Sequence, residues 1–235
     1  MVPYEDFTVI LPTLNEARNI GELIKTISAY YKGIFIIVSD DGSSDNTKEI
    51  VRALQNSRAF FLDRKNARIH GLTASILEAS KEVKTKYFMV MDADNQHPWE
   101  KLGEIAGYLR KGAKLVIASR ERVEGKWEIP RKYISYLGNM LGKISLAARG
   151  KWFASYDVLT GFYGVETGFW KYVVFERKNF GRFKLKGYKI LFEFLKVIPG
   201  KITVKNVSYV FNIRKMGFSK LNGRIYLEFL KALFA

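Results

Sequence analysis

The residues best suited to chemistry lie between Asp92 and Pro98, directly after a run of apolar residues. Asp92 and Asp94 place two carboxylates one residue apart, and Gln96 adds an amide oxygen. Oxygen donors of this kind suit a hard cation such as Mg²⁺ or Mn²⁺ that also binds substrate phosphates. The alternative is a loop aspartate that caps the helix expected from Pro98. The position after a buried strand favours the metal site.

A second polar cluster, Asp40-Asp41-Gly42-Ser43, follows another apolar run. A carboxylate there can accept hydrogen bonds from a base or a ribose, as in doubly wound nucleotide-binding proteins. The same residue types also favour turns and caps, so both interpretations stand. The sequence contains neither G-x-G-x-x-G after its first strand nor G-x-x-x-x-G-K-[ST], which argues against a dinucleotide dehydrogenase and a P-loop enzyme.

The first half of the chain alternates short apolar runs with segments of helical periodicity. This pattern predicts an α/β fold with a mostly parallel central sheet and helices on both faces. The polar clusters then lie beyond the carboxyl ends of the strands, where such sheets bind ligands. The predicted strands are Thr8–Leu11, Ile34–Val38, Ala59–Leu62, Tyr87–Met91 and Leu115–Ala118, and the predicted helices are Glu16–Tyr31, Asp45–Gln55, Leu72–Glu82 and Pro98–Arg110.

The second half is less regular. Pro130–Arg149 predicts an amphipathic helix whose charged residues are all positive. Such a helix suits either anionic lipid headgroups or ordinary core packing. Its apolar face comprises Ile134, Leu137, Leu141, Ile144 and Ala148. The other predicted elements are strands at Phe162–Val165, Ile202–Lys205 and Val207–Ile213, and helices at Gly168–Phe175, Leu185–Val197 and Ser219–Ala235.

Charge is distributed unevenly along the 235 residues, whose net charge is +16. Residues 1–110 carry 14 Lys/Arg and 15 Asp/Glu, whereas residues 111–235 carry 25 and 8. The basic half indicates a polyanionic partner: nucleic acid, an anionic membrane surface or phosphate-bearing substrates. Cysteine is absent and there are two histidines, which argues against disulfides, a cysteine nucleophile and a multi-histidine zinc site. No apolar run is long enough to predict a membrane-spanning helix, and no signal peptide is expected.

Taken together, the motifs resemble those of the inverting family 2 glycosyltransferases that use nucleotide-diphospho-sugars. The resemblance is strongest to dolichyl-phosphate mannose synthases and related polyprenyl-phosphate glycosyltransferases. Asp92–Pro98 is similar to their D-A-D-x-Q-H-P, and Arg214–Leu221 to their R-x-x-G-x-S-K-L. The remaining matches are Pro12–Glu16, Asp40–Asp45, Ser119-Arg120, Arg131-Lys132 with Ser135, Asp157–Phe162 and Gly187–Leu191.

The resemblance implies one GT-A-like catalytic domain over residues 1–235. Residues 1–118 would bind the nucleotide-sugar, and residues 119–235 would face the acceptor and the membrane. The implied reaction transfers a sugar, most simply mannose from GDP-mannose, to dolichyl or polyprenyl phosphate with inversion. UDP-glucose as donor and a soluble acceptor are the alternatives. A divalent cation, Mg²⁺ or Mn²⁺, would be held by Asp94 and Gln96.

The implied site residues fall into three groups. Asp94, Arg120 and Arg131 would be catalytic, and Arg120, Arg131 and Ser135 would bind the acceptor phosphate. The nucleotide-sugar would contact Pro12, Leu14, Glu16, Ser39, Asp41, Asp92, Ala93, Asp94, Gln96, Lys189, Arg214 and Lys220.

The two histidines receive structural interpretations: His70 packs locally, and His97 orders the metal loop. We expect peripheral association with the cytoplasmic face of an anionic membrane, with a separate membrane-anchoring subunit left open. A nucleic-acid-binding protein is the rival class, but no nucleic-acid motif is present, and a metal-free pair of aspartates would repel phosphate. We therefore expect no nucleic-acid partner.

Overall fold

The computed structural model describes residues 3–123, 129–153, 156–177 and 179–211, with the backbone alone for residues 129–134. The strands are β1 (Phe7–Thr13), β2 (Phe35–Asp40), β3 (Ala59–Asp63), β4 (Tyr87–Val90), β5 (Leu115–Val123), β6 (Tyr163–Glu166) and β7 (Val204–Phe211). The helices are α1 (Ile20–Tyr30), α2 (Thr47–Ala53), α3 (Leu72–Glu82), α4 (Leu102–Arg110), α5 (Ile129–Ala147), α6 (Thr167–Lys171) and α7 (Ile190–Val197).

The strands form one sheet in the order β3-β2-β1-β4-β6-β5-β7. β1 pairs in parallel with β2 and β4, and β5 pairs in parallel with β7. β6 lies between β4 and β5 and is antiparallel to both. The carboxyl ends of the other six strands therefore share one edge, and the segment that enters β6 arrives at that same edge. The predicted mostly parallel α/β fold is confirmed.

Apolar side chains cover both faces of the sheet, because successive strand residues point to opposite sides. Phe7, Val9 and Leu11 of β1 belong to a core that also includes residues of α1 and α4. Ile10, between them, belongs to the opposite core, built with residues of α3, α6 and α7. The sheet is thus packed between two buried cores, one on each face.

Helix α5 turns much of its apolar surface outward. Tyr136, Leu137, Met140 and Ile144 are 71%, 50%, 41% and 57% exposed. The helix packs inward instead through small or modest side chains, at Gly142, Ser145 and Leu146. The predicted apolar face is therefore exposed at Leu137 and Ile144, whereas Leu141 of the same face packs against the core. Among the described helices, none is long and apolar enough to cross a membrane.

Several predicted boundaries were wrong. Strands expected at 202–205 and 207–213 are the single strand β7, because Asn206 continues the ladder opposite Ile117 and its Oδ1 accepts a hydrogen bond from Ser119 Oγ at 2.5 Å. The helix expected from Glu16 begins at Ile20, and the one expected from Pro98 starts as a 3₁₀ turn over Trp99–Lys101. The helix expected at 219–235 lies outside the described residues.

Candidate active site

The polar clusters meet at the carboxyl edge of the sheet. Thr13, the last residue of β1, pairs with Asp40, the last of β2. Val90 at the end of β4 pairs with Ile10 of β1 on one side and with Tyr163 of β6 on the other. The loops after β1, β2 and β4 and the loop before β6 are therefore neighbours.

The loops that follow β1 and β2 are tied directly to each other. We call residues 14–19 and 41–46 the β1–β2 loops. The main-chain N–H of Asn15 donates to Ser43 Oγ at 2.7 Å, and Asn15 Oδ1 accepts from the N–H of Ser44 at 2.8 Å. Asp45 Oδ2 accepts from the N–H of Ala17 at 3.1 Å. These side chains fix the shape of the edge, so part of the polar cluster serves the loops.

The carboxylate of Asp41 is held by a second network. Its Oδ1 accepts a hydrogen bond from Arg64 Nη1, and its Oδ2 accepts from the N–H of Gly71 at 2.7 Å. His70 Nδ1 lies 3.1 Å from the Asp41 main-chain oxygen and 3.2 Å from Oδ1. Arg64 is enclosed and also donates to Glu78 through Nε at 2.8 Å. The charge on Asp41 is thus balanced by the buried guanidinium of Arg64.

The other residues predicted at this end occupy different depths. Pro12 is buried, whereas Leu14 and Glu16 are partly exposed at the edge. Ser39 is fully enclosed, and its hydroxyl donates to the main-chain oxygen of Ser75 on α3 at 3.0 Å. Ser39 therefore joins β2 to α3, and its contact with a nucleotide stays a prediction.

The loop after β4 is compact. Asp94 is buried, and its Oδ1 accepts from the N–H of Gln96 at 3.1 Å. This bond closes a turn around Asn95, whose φ of 61° lies in the left-handed region that asparagine tolerates. Asp92, with 38% of its side chain exposed, is the more exposed of the two carboxylates in the loop. Ala93 between them is buried.

Carboxylate and amide oxygens at Asp94 and Gln96 fit a hard divalent cation. Such a cation is commonly bound by one or two protein oxygens together with substrate phosphates. Within the described ranges, no group of three or more His, Cys, Asp or Glu side chains is gathered around a common point. Asp94 and Gln96 are the residues that would hold the metal here.

His97 binds this loop by a hydrogen bond and packs against aromatic side chains of β7 and of the segment before β6. Its Nδ1 accepts a hydrogen bond from the N–H of Asp92 at 3.0 Å, and its ring stacks on Phe162 with centroids 5.1 Å apart. Tyr209 and Phe211 of β7 pack edge-on against the same ring. Burial lowers the pKa of His97 against the opposing pull of Asp92. A neutral His97 that accepts this hydrogen bond from the Asp92 N–H holds the loop in place.

A buried ion pair lies close enough to Asp92 for its charge to act on Arg120. Arg120 Nε donates to Asp157 Oδ2 at 2.6 Å, and the two side chains are 19% and 6% exposed. Burial opposes ionisation of both groups, but their mutual attraction prevails: the pKa of Asp157 is lowered and that of Arg120 is raised. A bulge in β5 at Glu121, opposite β7, directly follows Arg120.

Lys189 completes this cationic group. It precedes α7, and its Nζ donates to the main-chain oxygen of Leu159 at 2.8 Å. Burial, reinforced by the charge of Arg120, lowers the pKa of Lys189 to about 8. Asp157 and Asp92 act in the opposite direction. Two cations, Arg120 and Lys189, thus lie close to two carboxylates, Asp157 and Asp92.

The family model for glycosyl transferase family 2 matches residues 8–183, about three quarters of the chain. The chain belongs to this family. It is 34% identical over 97% of its length to the dolichol-phosphate mannosyltransferase of Pyrococcus furiosus, and it spans 62% of that protein. It is 30% identical to the dolichol-phosphate mannosyltransferase of Saccharomyces cerevisiae, covering 97% of this chain and 85% of the relative.

Solved structures show the same fold. The glucosyl-3-phosphoglycerate synthase of Mycobacterium tuberculosis, solved with Mn²⁺, UDP and glucosyl-3-phosphoglycerate, superimposes with a TM-score of 0.68 at 19% identity. The match covers 97% of this chain and 78% of that protein. The GT-A-like fold expected for a family 2 glycosyltransferase is therefore confirmed.

Four predicted site residues remain to be placed in this family 2 glycosyltransferase. Ser135 is partly exposed on α5. Arg131 lies in α5, but its side chain is outside the described part of the structure. Arg214 and Lys220 lie outside the described residues. Their roles stay predictions.

The structure also identifies residues that sequence reasoning missed. Arg64 and Asp157 hold predicted site residues in place, at Asp41 and Arg120. A Cβ on Gly161 would come within 3.3 Å of Asp92 Oδ1, so a larger residue there would press on the carboxylate. Two features of the sequence could have indicated these residues: Arg64 directly follows a strand, and Asp157 and Gly161 belong to the Asp157–Phe162 motif.

Asp157 and Gly161 belong to one segment, residues 156–162, which we call the β6 entry loop. Hydrogen bonds tie it to several elements besides its own strand, among them β5, α5 and α7. The N–H of Asp157 donates to Ser119 Oγ of β5 at 2.9 Å, and the N–H of Val158 donates to Asn139 Oδ1 of α5 at 3.0 Å. The tie to α7 is the bond from Lys189. The β6 entry loop thus connects the cations of the site to helix α5.

Proposed function

We propose that this family 2 glycosyltransferase transfers mannose from GDP-mannose to dolichyl or polyprenyl phosphate, with inversion. The observation that carries the proposal is the pair of cations, Arg120 and Lys189, held around Asp157 beside the Asp92–Gln96 loop. Such a group suits a reaction in which two phosphate-bearing substrates meet. The names of the relatives from Pyrococcus furiosus and Saccharomyces cerevisiae support the same acceptor and sugar.

The reaction needs no protein base. A phosphate monoester is already anionic near neutral pH, so its oxygen attacks the anomeric carbon directly. The bond from that carbon to the diphosphate breaks on the opposite face, and the electron pair leaves with the diphosphate. His97 is buried, and its Nδ1 already accepts a hydrogen bond from the Asp92 N–H. The chain therefore contributes position and charge instead of proton transfer.

The roles of the charged residues follow from their neighbours. Lys189 would bind the diphosphate as a cation, and Arg120, oriented by Asp157, would bind the acceptor phosphate with Arg131 and Ser135. Arg214 and Lys220 would add positive charge around the donor. Mg²⁺ or Mn²⁺ held by Asp94 and Gln96 would supply Lewis-acid neutralisation of the leaving diphosphate.

The acceptor places the enzyme on a membrane surface. The exposed apolar side chains Tyr136, Leu137, Met140 and Ile144 suit insertion among lipid headgroups. The excess of basic residues after residue 110 suits anionic lipids. We infer peripheral association, on the cytoplasmic face of the membrane, with or without a separate anchoring subunit.

A donor and acceptor screen tests the proposal. The full chain is incubated with vesicles containing dolichyl phosphate, labelled GDP-mannose or UDP-glucose, and Mg²⁺ or Mn²⁺, and the lipid product is extracted. We expect lipid-linked mannose from GDP-mannose, none in excess chelator, and about 10³-fold less with Asp94→Asn. Glucose transfer from UDP-glucose, or transfer to soluble phosphoglycerate without lipid, would replace the proposal with one of the alternatives.

A further inference from the structure

His70 lies against Asp41 at the carboxyl end of β2, in the part of the site proposed for the nucleotide. Its side chain is 48% exposed, while that of Asp41 is 12% exposed. His70 Nδ1 faces both the main-chain and the side-chain oxygen of Asp41. The contacts of the pair show which polar atoms remain for a ligand.

The Asp41 carboxylate can accept few hydrogen bonds beyond those it already has. A carboxylate accepts about four hydrogen bonds. Arg64 Nη1 and His70 Nδ1 approach Oδ1, and the N–H of Gly71 takes one position on Oδ2. One lone-pair position, on Oδ2, remains. Asp41 alone therefore offers a nucleobase at most one acceptor.

The neighbours of His70 define its tautomer. Nδ1 faces two oxygens of Asp41 that can only accept, at 3.1 and 3.2 Å, so Nδ1 carries the proton. In the neutral ring, Nε2 then holds a lone pair and accepts. Among the described residues, none forms a hydrogen bond with Nε2. The half-exposed ring thus adds a second acceptor to the same end of the site.

We propose that His70 is a specificity-determining residue for the nucleobase of the donor. Its Nε2 accepts a hydrogen bond from the imino N–H of the base: N1–H of guanine or N3–H of uracil. Adenine N1 and cytosine N3 carry a lone pair in place of this N–H. With either base, two acceptors, the ring nitrogen and His70 Nε2, would face each other without a hydrogen bond between them. A site built to receive a donor rejects an analogue that lacks it. The proposal rests on the proposed function, because it requires a nucleotide at this edge.

Calorimetry on the full chain with Mg²⁺ tests the proposal, using GDP, UDP, ADP and CDP. Pyrophosphate serves as a probe without a base. His70→Phe keeps a flat ring but removes both nitrogens, whereas His70→Gln retains one donor and one acceptor. Phe35→Leu, at the opposite end of β2, is the matched control.

We expect the wild-type chain to bind GDP or UDP about tenfold more tightly than ADP and CDP. His70→Phe should remove that preference, His70→Gln should restore part of it, and Phe35→Leu should retain it. Pyrophosphate affinity should be the same in all four proteins.

If His70→Phe retains the preference, or the wild-type chain has none, this inference is wrong while the proposed function stands. An equal loss of pyrophosphate affinity in His70→Phe would also overturn it, because the residue would then act on the diphosphate or the fold. Failure of every nucleotide to bind would overturn both proposals.

Discussion

The β1–β2 loops and the β6 entry loop border the same edge of the sheet, but different forces hold them. In the β1–β2 loops, Arg64 holds Asp41, and other ties are short polar side chains bonded to nearby main-chain amides, as Asn15 is to Ser44 and Asp45 to Ala17. The β6 entry loop is bound by long charged side chains, Arg120 and Lys189. The first arrangement gives a preformed surface with little free charge. The second brings two cations together with two carboxylates, Asp157 and Asp92.

Removal of Asp94 gives the largest expected effect on activity. Asp94→Asn should lower sugar transfer about 10³-fold, because a bound cation contributes several kcal/mol to neutralising the departing diphosphate. Activity is measured by lipid extraction, and the fold by circular dichroism. Asp63→Asn, which changes an exposed carboxylate bonded to Lys48, is the control and should retain activity. Full activity of Asp94→Asn would rule out the metal site.

The second prediction compares how much Asp157 in the β6 entry loop and Asp41 in the β1–β2 loops contribute to the free energy of unfolding. Asp157→Ala leaves the Arg120 guanidinium without its partner and should lower the free energy of unfolding by about 3–5 kcal/mol. Asp41→Ala should cost about 1–2 kcal/mol, because Arg64 retains its bonds to Glu78. Both values come from denaturant titrations. Equal losses would mean that the two regions are held together by similar forces.

The third prediction concerns pH. Because burial and Arg120 lower the pKa of Lys189 to about 8, its side chain is charged below that pH and becomes neutral above it. The affinity for GDP should therefore fall as pH rises from 7 to 9, by up to about tenfold. Lys189→Arg, which stays charged, should flatten this pH dependence in calorimetry. The same fall in Lys189→Arg would assign the effect to another group.

The smallest expected effect lies at the membrane. Lys143→Gln on α5 should weaken binding to anionic vesicles about fivefold at low salt, since a basic residue near such a surface contributes about 1 kcal/mol. Lys25→Gln, an exposed lysine of α1, is the control. Flotation at low and high salt measures both. Binding that is insensitive to salt and to lipid charge would contradict this orientation.

Sequence periodicity predicted the sheet well, because buried strands such as β1, β2 and β4 are short apolar runs bounded by polar clusters. It also predicted that these clusters share an edge. It did not predict which carboxylates are already occupied: Asp41 and Arg64 are 23 residues apart, and Asp157 and Arg120 are 37 apart. Spacing within an element indicates faces, whereas partners on different strands depend on the order in which the sheet is assembled. The insertion of β6 between β4 and β5 could not be predicted for the same reason.

That insertion has a consequence for folding during synthesis. β4 and β5 are synthesised before β6, but they do not pair with each other. β6, which lies between them in the sheet, is complete only when synthesis reaches Glu166. Until then, β4 presents an unpaired edge, which is prone to join other chains. A nascent chain that ends near residue 118 therefore lacks both the closed sheet and the β6 entry loop. We therefore expect the parts of the chain before and after residue 118 to fold together, and a fragment of residues 1–118 to aggregate instead of binding nucleotide.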